Sequence, residues 1–241
     1  MLFTTKGIVL HHFKYSEKSV IAKVYTEKFG LQSYILNGVR SSKSKNKAVY
    51  LQPLSLVEIN ANHKEKKGLQ QVKSIQLASP YNSIPFNIGK TSIAFFIAEI
   101  LYKSIKEEET NYTLFEFLYN ALQVLDLKET DYANFHLIFM AQLCHFLGIP
   151  PQNKNIVATN IYFDLQEGVF TAHQPPHQAI IASPISNILI AILNANLNDS
   201  NLSLNYSDRK LVLSALIDYY HLHLSNFDNL KSLAVLEEVL S

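Results

Sequence analysis

The residues best suited to chemistry are cations, and the densest group of them lies in one short segment. Residues 40–47 contain Arg40, Lys43, Lys45 and Lys47 and no acidic residue. The three lysines are two residues apart, so an extended backbone would project all of them to one side. The serine and asparagine side chains between them are small polar donors suited to phosphate oxygens. This segment therefore predicts a contact with a polyanion.

Further cations and aromatic rings surround this segment in the sequence. Five lysines are predicted to extend the same basic surface, namely Lys14, Lys23, Lys64, Lys66 and Lys67. Two of the interleaved aromatic residues, Tyr15 and Tyr34, are predicted to stack on bases. Small barrels bind single strands through cationic grooves with aromatic platforms, at about 1–3 kcal/mol per stacked base. A nucleic acid is the partner that this combination favours.

Charge is distributed unevenly along the chain, although the net charge of all 241 residues is only +1. Residues 1–82 contain thirteen Lys and Arg and four Asp and Glu, a net charge of +9. Residues 83–241 contain eight Lys and Arg and sixteen Asp and Glu, a net charge of −8. Such a division indicates an anionic partner for the first segment and a different role, such as protein docking, for the second.

Sequence patterns typical of enzymes are missing from the chain. Residues 87–91 (Asn-Ile-Gly-Lys-Thr) resemble the end of a phosphate-binding loop, but Ile84 stands where that loop needs a glycine. We interpret residues 87–91 as the beginning of a helix. His173 and His177 have the spacing of a helical metal pair, but two prolines between them exclude a helix. We expect no catalytic residue, no cofactor and no metal.

One cysteine, Cys144, is present in 241 residues. It lies in a strongly apolar stretch, so we expect a buried and inert thiol. A single cysteine fits a reducing compartment, and the apolar stretches are far shorter than the roughly 20 residues of a membrane-spanning helix. The sequence predicts a soluble, cytoplasmic protein, associated with the nucleoid if it binds DNA.

Five short strands are predicted to position the cations. They alternate with turns that contain Gly30 and the Asn37-Gly38 pair. Their predicted ranges are Lys6–Tyr15, Ser19–Thr26, Leu31–Leu36, Leu51–Ala61 and Leu69–Ala78. A five-stranded barrel of the oligonucleotide-binding (OB) type is the economical choice, because closure removes exposed edges. An SH3-like barrel is the alternative.

Helical patterns follow a linker at residues 80–85, which contains two prolines. Apolar residues spaced by three and four predict helices around residues 93–105, 111–127 and 132–147. Asp131 is the predicted cap of the third, and Ser207 and Asp208 are the predicted caps of a later helix. Residues 150–184 are predicted to form an irregular insertion with a short hairpin, whose strands are residues 161–164 and 168–170. The predicted architecture is an α+β chain of two domains, an OB barrel at 1–80 and an α-helical domain at 81–241.

Several of these segments, taken together and in order, resemble the bacterial recombination mediator family RecO. The segments that carry the resemblance in the barrel are Gly7–Leu10, Tyr15–Val20, Tyr25–Gly30, Asn37–Arg40, Leu51–Glu58 and Gly68–Lys73. Near the other end, Tyr220–Leu224 and Leu230–Leu233 are similar to the last helices of the family. The resemblance covers most of the chain.

The resemblance implies an N-terminal OB barrel and a helical C-terminal domain without nucleotide hydrolysis. Family members bind single- and double-stranded DNA, anneal complementary strands and work with RecR. They also contact the acidic, Phe-ended tail of the single-stranded-DNA-binding protein and help to place RecA on strands coated by it. Arg40, Lys43 and Lys45 carry over as the DNA contacts of the basic segment.

The chain departs from the family pattern after the third helix. Many members have a four-cysteine zinc module there, whereas residues 148–180 contain no cysteine. We predict that apolar packing of Ile161, Phe163, Val169 and Phe170 holds this segment together without zinc. Two other function classes remain open, an RNA-binding barrel and a protein-interaction scaffold that does not bind nucleic acid.

Overall fold

The chain forms two compact units, residues Met1–Leu127 and Lys128–Ser241. A computed structural model describes residues 2–39, 49–64, 68–106, 108–153, 158, 160–199 and 202–241. In this part of the chain, no helix has the length and apolar character needed to cross a membrane.

The first unit begins with a closed barrel of five strands. These are β1 (Leu2–Lys14), β2 (Ser19–Thr26), β3 (Gly30–Asn37), β4 (Leu56–Asn62) and β5 (Gln70–Ser79). Their order around the barrel is β1-β2-β3-β5-β4, and β1 pairs with β4 to close it. All pairs are antiparallel except β3 with β5. The predicted five-stranded OB barrel is confirmed, since its order and parallel contact are those of a Greek key.

Alternation along the strands separates the barrel core from the outer face. Val20, Ala22 and Val24 of β2 belong to the buried core cluster, together with Tyr34 and Leu36 of β3. The residues between them therefore point outward. Residues 49–54 add Leu51 and Leu54 to the buried set although they precede β4. The predicted start of the fourth strand at Leu51 is therefore five residues too early.

Two α-helices follow the barrel in the described part of the first unit. They are α1 (Ile88–Ser104) and α2 (Tyr112–Leu127). Asn87 caps α1, because its side chain accepts a hydrogen bond from the backbone N–H of Lys90 at 3.1 Å. The interpretation of residues 87–91 as a helix beginning is thus confirmed. Tyr25 of the barrel stacks on Phe115 of α2 with ring centroids 6.4 Å apart, which joins the two layers.

Within its described residues, the second unit contains four helices and a small sheet. The helices are α3 (Phe135–Phe146), α4 (Ile185–Asn194), α5 (Tyr206–His223) and α6 (Leu233–Val239). The strands β6 (Tyr162–Asp164), β7 (Val169–Thr171) and β8 (Ile180–Ala182) form an antiparallel sheet with β6 in the centre. The predicted hairpin is confirmed as β6 and β7, whereas β8 was not predicted.

Two predicted helix caps are wrong by a few residues. Asp131 has a positive φ of 57°, and α3 follows Asn134 instead. The cap of α5 is Asn205, whose side chain accepts from the backbone N–H of Asp208 at 2.8 Å. Several neighbouring residues here are good capping types, and the sequence alone does not choose among them.

The sheet of the second unit is held by apolar packing and by a carboxylate. Phe163 and Phe170 are buried, with their ring centroids 4.5 Å apart, and Phe163 also contacts Tyr219 of α5 at 5.4 Å. The predicted apolar packing is confirmed for Phe163 and Phe170; Ile161 is also buried, whereas Val169 is half-buried. The carboxylate of Asp164 adds hydrogen bonds to the turn between β6 and β7.

Candidate nucleic-acid interface

Part of the predicted basic surface lies outside the described residues. These predicted contacts are Arg40, Lys43, Lys45, Lys47, Lys66 and Lys67. They belong to the connections from β3 to β4 and from β4 to β5. The predicted residues that the structure does describe are Lys14, Tyr15, Lys23, Tyr34 and Lys64.

Lys14 and Tyr15 lie where β1 turns into β2. The backbone N–H of Tyr15 donates to the carbonyl of Ser19 at 3.1 Å, which closes the hairpin. Lys14 is exposed, and Tyr15 is 58% exposed. The connection between the first two strands is one of the places where OB barrels bind oligonucleotides. A cation and an accessible aromatic ring are therefore adjacent at such a place.

Lys23 lies on the outer face of β2, between neighbours on both sides. It pairs with His11 of β1 and with Ser33 of β3. Directly opposite residues project from the same face of a sheet. Lys23 is partly exposed and forms no ion pair with any described residue. Its ammonium group can therefore interact with an anion on the outer face of β2 and β3.

An apolar row beside Lys23 crosses β1, β2 and β3 and ends at the polar Gln71 of β5. Phe13 pairs with Ile21, Ile21 with Ile35, and Ile35 with Gln71 of β5. Phe13 is 42% exposed, so its ring offers a surface to a base next to a cation. The prediction did not select Phe13 as a contact. Its outward position depends on the shift in register between β1 and β2 after Val9, which the sequence does not reveal.

Tyr34 does not belong to this surface. It is 1% exposed and packs in the barrel core with Val9 and Val24. Burial raises the pKa of its phenol to about 12. A ring enclosed in this way has no face for a base, so its burial removes Tyr34 from the set of stacking residues.

Lys64 lies at the base of the connection from β4 to β5. Its backbone N–H donates to Oε1 of Gln70 at 2.9 Å, and Nε2 of Gln70 donates to the Lys64 carbonyl at 3.0 Å. Gln70 is 2% exposed and pairs with Tyr34 of β3. A buried amide thus closes the base of this connection beside β3. The connection from β4 to β5 is the second usual binding element of an OB barrel.

Two other lysines of the barrel contact neighbouring residues of the first unit. Lys6 lies over the ring of Tyr119 at 5.5 Å from its centroid and pairs in register with Glu58. Nζ of Lys28 donates to the carbonyl of Thr4 at 2.8 Å. Lys6 and Lys28 therefore differ from Lys23 and Lys64, which form no ion pair with any residue that the structure describes.

The residues present do not fit the zinc module of the family. Residues 148–180 lack cysteine, and no group of three or more His, Cys, Asp and Glu side chains is placed to hold a metal ion within the described ranges. Nε2 of His177 lies 3.1 Å from Oδ2 of Asp164, so this histidine has a carboxylate partner. Cys144 is buried as predicted, and burial raises the pKa of its thiol to about 12.

Comparison with known proteins covers both units. The family model Recombination protein O N terminal matches residues 1–81, and Recombination protein O C terminal matches residues 85–234. Relatives named DNA repair protein RecO are similar over almost the full length of both chains. The one from Flavobacterium psychrophilum is 39% identical over 100% of each chain, and that from Bacteroides fragilis is 38% identical over 99% of each. The relative from Azobacteroides pseudotrichonymphae is 36% identical over 99% of each chain. The chain belongs to the RecO family.

Proposed function

We propose that the chain is a recombination mediator that binds single- and double-stranded DNA through its barrel and anneals complementary strands. Together with RecR, it helps to load RecA on single strands coated by the single-stranded-DNA-binding protein. Its family supports a role in DNA repair and recombination. The proposal includes no catalysed reaction, so DNA binding, strand annealing and contacts with partner proteins account for the whole activity.

The observation that carries the proposal is a net charge of +9 within residues 1–82, which form the OB barrel and its connections. Positive potential over one face attracts polyanions and accelerates their association. The proposed phosphate contacts on the connection from β3 to β4 are Arg40, Lys43, Lys45 and Lys47. Those on the connection from β4 to β5 are Lys64, Lys66 and Lys67. The DNA strand is proposed to pass between these two connections. There it contacts Phe13, Lys14, Tyr15 and Lys23.

Charge reversal on the barrel tests this proposal. We expect the double variant Lys14→Glu, Lys64→Glu to weaken binding of a single-stranded oligonucleotide by about 10- to 100-fold at low salt, because each side chain binds a phosphate. The slope of log K against log salt should also fall by about one for each lysine–phosphate pair that is removed. The matched control is Lys106→Glu, Lys231→Glu, which changes the net charge equally in the helical part of the chain. Equally reduced affinity in both variants would contradict the proposal.

A second measurement separates DNA binding from the alternatives. Fluorescence competition between DNA and RNA of the same length and sequence should favour DNA or show no preference. A strong preference for RNA would instead support an RNA-binding barrel. Unchanged DNA binding after reversal of Arg40, Lys43, Lys45 and Lys47 to glutamate would support a protein-interaction scaffold.

The aromatic surface has its own test. Phe13→Ala should weaken single-strand binding by about 1–3 kcal/mol and affect double-stranded DNA less, since only unpaired bases present a free face. The control Phe95→Ala removes an aromatic ring of similar exposure, 48%, from α1. Equal effects on single and double strands would place Phe13 outside the stacking surface.

The acidic tail of the single-stranded-DNA-binding protein is proposed to bind the second unit. A small pocket there is lined by Leu213, Leu236 and Leu240, with Arg209 and Lys210 beside them. Apolar walls with adjacent cations suit a Phe-ended acidic peptide. Arg209 already donates to the carbonyl oxygens of Leu204 and Leu240. Nζ of Lys210 lies 3.2 Å from Oε2 of Glu237, but its side chain is 51% exposed and a surface ion pair is weak, so Lys210 is the better candidate to exchange this partner for a peptide carboxylate.

Fluorescence polarisation of a labelled tail peptide tests this pocket. Lys210→Glu should weaken peptide binding about tenfold, whereas Lys106→Glu, the control, should leave the affinity unchanged. The variant Lys210→Glu should anneal DNA strands more slowly when they are coated by the full-length single-stranded-DNA-binding protein. Its rate of annealing bare strands should be unchanged. A peptide affinity unaffected by Lys210→Glu would place the tail elsewhere.

A further inference from the structure

Helix α6 packs against the second unit with one buried side chain. All seven residues of α6 are described, and among them Leu236 is the buried one, with 1% of its surface exposed. Leu236 lines the small pocket of the second unit together with Leu240, which follows α6, and Leu213 of α5. The neighbouring Val235 is 53% exposed. One wall of the pocket therefore belongs to a helix that is mostly at the surface.

Two polar contacts also join α6 to α5. Nζ of Lys210 lies 3.2 Å from Oε2 of Glu237, and a guanidinium N–H of Arg209 donates to the Leu240 carbonyl at 2.7 Å. Glu237 directly follows the buried Leu236 in the sequence. Helix α6 thus presents a carboxylate to Lys210 and an apolar side chain to the pocket. These are the two groups that an acidic peptide with a large apolar end offers.

The pocket is too small for the apolar end of such a peptide while α6 is in place. The space left between its walls is about 10 Å³, room for about one water molecule. An aromatic ring needs a cavity on the order of 150 Å³. A phenylalanine side chain can therefore enter the pocket only if one of the walls moves.

Among the walls of the pocket, α6 is held by the fewest contacts. A helix of seven residues is not stable by itself in water, so α6 depends on its contacts with the rest of the unit. Its ion pair contributes little, because the Lys210 side chain is 51% exposed. Helices α3 and α5 are longer and each bury several residues. Elements with few buried apolar contacts open locally at a low cost in free energy.

We propose that the face of α5 beneath α6 is a binding surface for acidic peptides, and that α6 occupies this surface until a peptide replaces it. This inference rests on the proposed binding of the acidic tail of the single-stranded-DNA-binding protein to this pocket. In the exchange, a peptide carboxylate replaces Glu237 at Lys210, and the apolar end of the peptide replaces Leu236 beside Leu213. Only chains with α6 released can bind, so the measured Kd is the intrinsic Kd divided by the released fraction.

Fluorescence polarisation of the labelled tail peptide with Leu236→Ala tests the exchange. The smaller side chain should release α6 and tighten peptide binding by about 3- to 10-fold, because more chains then have a free surface. If Leu236 were a wall of a preformed pocket, the same change would weaken binding, so the direction of the shift decides. The control is Val235→Ala, which shortens an exposed side chain of the same helix. Unchanged or weaker binding by folded Leu236→Ala overturns the proposal.

The variant Glu237→Gln repeats this test with almost no change in side-chain volume. Loss of the ion pair with Lys210 should tighten peptide binding by about 2- to 5-fold. Glu238→Gln is the matched control, because it removes the same charge from an exposed residue of α6 that forms no ion pair with any described residue. Equal affinities of Glu237→Gln and Glu238→Gln would overturn the exchange, also where Leu236→Ala does not fold.

Hydrogen exchange of the wild-type chain with and without the tail peptide gives a second readout. Bound peptide should make amide exchange in residues 233–240 faster by about fivefold or more, because α6 is released. Slower or unchanged exchange in α6 would overturn the proposal and leave tail binding itself intact. If neither the wild type nor Leu236→Ala binds the peptide, the proposed site of the tail is wrong, and the exchange is wrong with it.

Discussion

The carboxylate of Asp126, in the last turn of α2, accepts a 2.8 Å hydrogen bond from the backbone N–H of Ser83. It also accepts from the N–H groups of Asn82 at 2.8 Å and Ile84 at 2.9 Å. Three successive donors of the segment after β5 thus end on one side chain. Burial raises the pKa of Asp126, but these bonds and one from the Ser83 hydroxyl outweigh burial, and the net pKa is below its usual value.

We expect Asp126→Asn to lower the free energy of unfolding by about 1–3 kcal/mol at neutral pH, because the amide offers one acceptor oxygen to several donors. The pKa of Asp126 is lower in the folded chain than its ordinary 3.8, so the stabilisation is present above that value and is lost as the pH falls through the folded pKa. Urea unfolding should therefore show a difference between wild type and variant that shrinks in acid. The control is Asp218→Asn, an exposed residue of α5. A difference independent of pH would contradict the role of the carboxylate charge.

We expect His136 of α3 to make the free energy of unfolding depend on pH in a second way. Burial, assisted by the positive charge of Arg209, lowers the pKa of His136 to about 3 from an ordinary 6.5. Below pH 6.5 the unfolded chain binds a proton that the folded chain does not, so stability falls with a slope of about 1.4 kcal/mol per pH unit from this residue. His136→Gln should remove that slope between about pH 6 and about pH 4. His145→Gln, an exposed change in the same helix, should leave it, and an equal slope in both variants would show that other groups cause it.

Local patterns in the sequence predicted the strands well where turn residues flank them. The prediction of β2 as Ser19–Thr26 is confirmed at both ends, because polar connections precede and follow an alternating segment. The predicted start of β4 at Leu51 is wrong, since Leu51 and Leu54 are buried without belonging to a strand. Leu54 has a φ of 63°, which interrupts an extended conformation. Burial and strand structure leave the same apolar pattern in the sequence.

The candidate surface was harder to predict than the strands that carry it. Between Val9 and His11 the register of β1 with β2 shifts, and this irregularity decides which later side chains of β1 project outward. Phe13 is outward as a result, whereas Tyr34 faces the core. A shift of one residue moves side chains to the other face of a sheet. No local property of the sequence marks such a shift.

We expect Gln70 to affect DNA binding by positioning the connection from β4 to β5. Gln70→Leu keeps the side-chain volume but removes both hydrogen bonds to the Lys64 backbone, so the connection that carries Lys64, Lys66 and Lys67 loses its closed base. If these lysines contact DNA, the affinity should fall about 3- to 10-fold with no change in charge. The control is Gln166→Leu, a change of the same kind at an exposed glutamine of the second unit. Unchanged affinity, with faster amide exchange in residues 62–70, would separate the structure of this connection from DNA binding.

We expect Asp164 to stabilise the sheet of the second unit, which has no cysteine ligands. Its Oδ1 accepts from the backbone N–H groups of Gln166 at 2.9 Å and Glu167 at 3.0 Å. Its Oδ2 lies 3.1 Å from Nε2 of His177, on the segment that leads to β8. One carboxylate therefore fixes the β6–β7 turn and the chain before β8 together. A partly buried carboxylate with several donors contributes more than an exposed ion pair.

Asp164→Ala should accordingly loosen residues 162–182 more than the rest of the second unit. Hydrogen exchange followed by mass spectrometry should show amide exchange in this segment faster by about tenfold or more, while the core of α3 and α5 changes little. Asp199→Ala is the matched control, because Asp199 also accepts a backbone hydrogen bond, from Asn196 at 2.7 Å, but in a different turn. Uniformly faster exchange would indicate global destabilisation instead. Wild-type protection that disappears with a metal chelator would show that a metal ion, rather than Asp164, organises this segment.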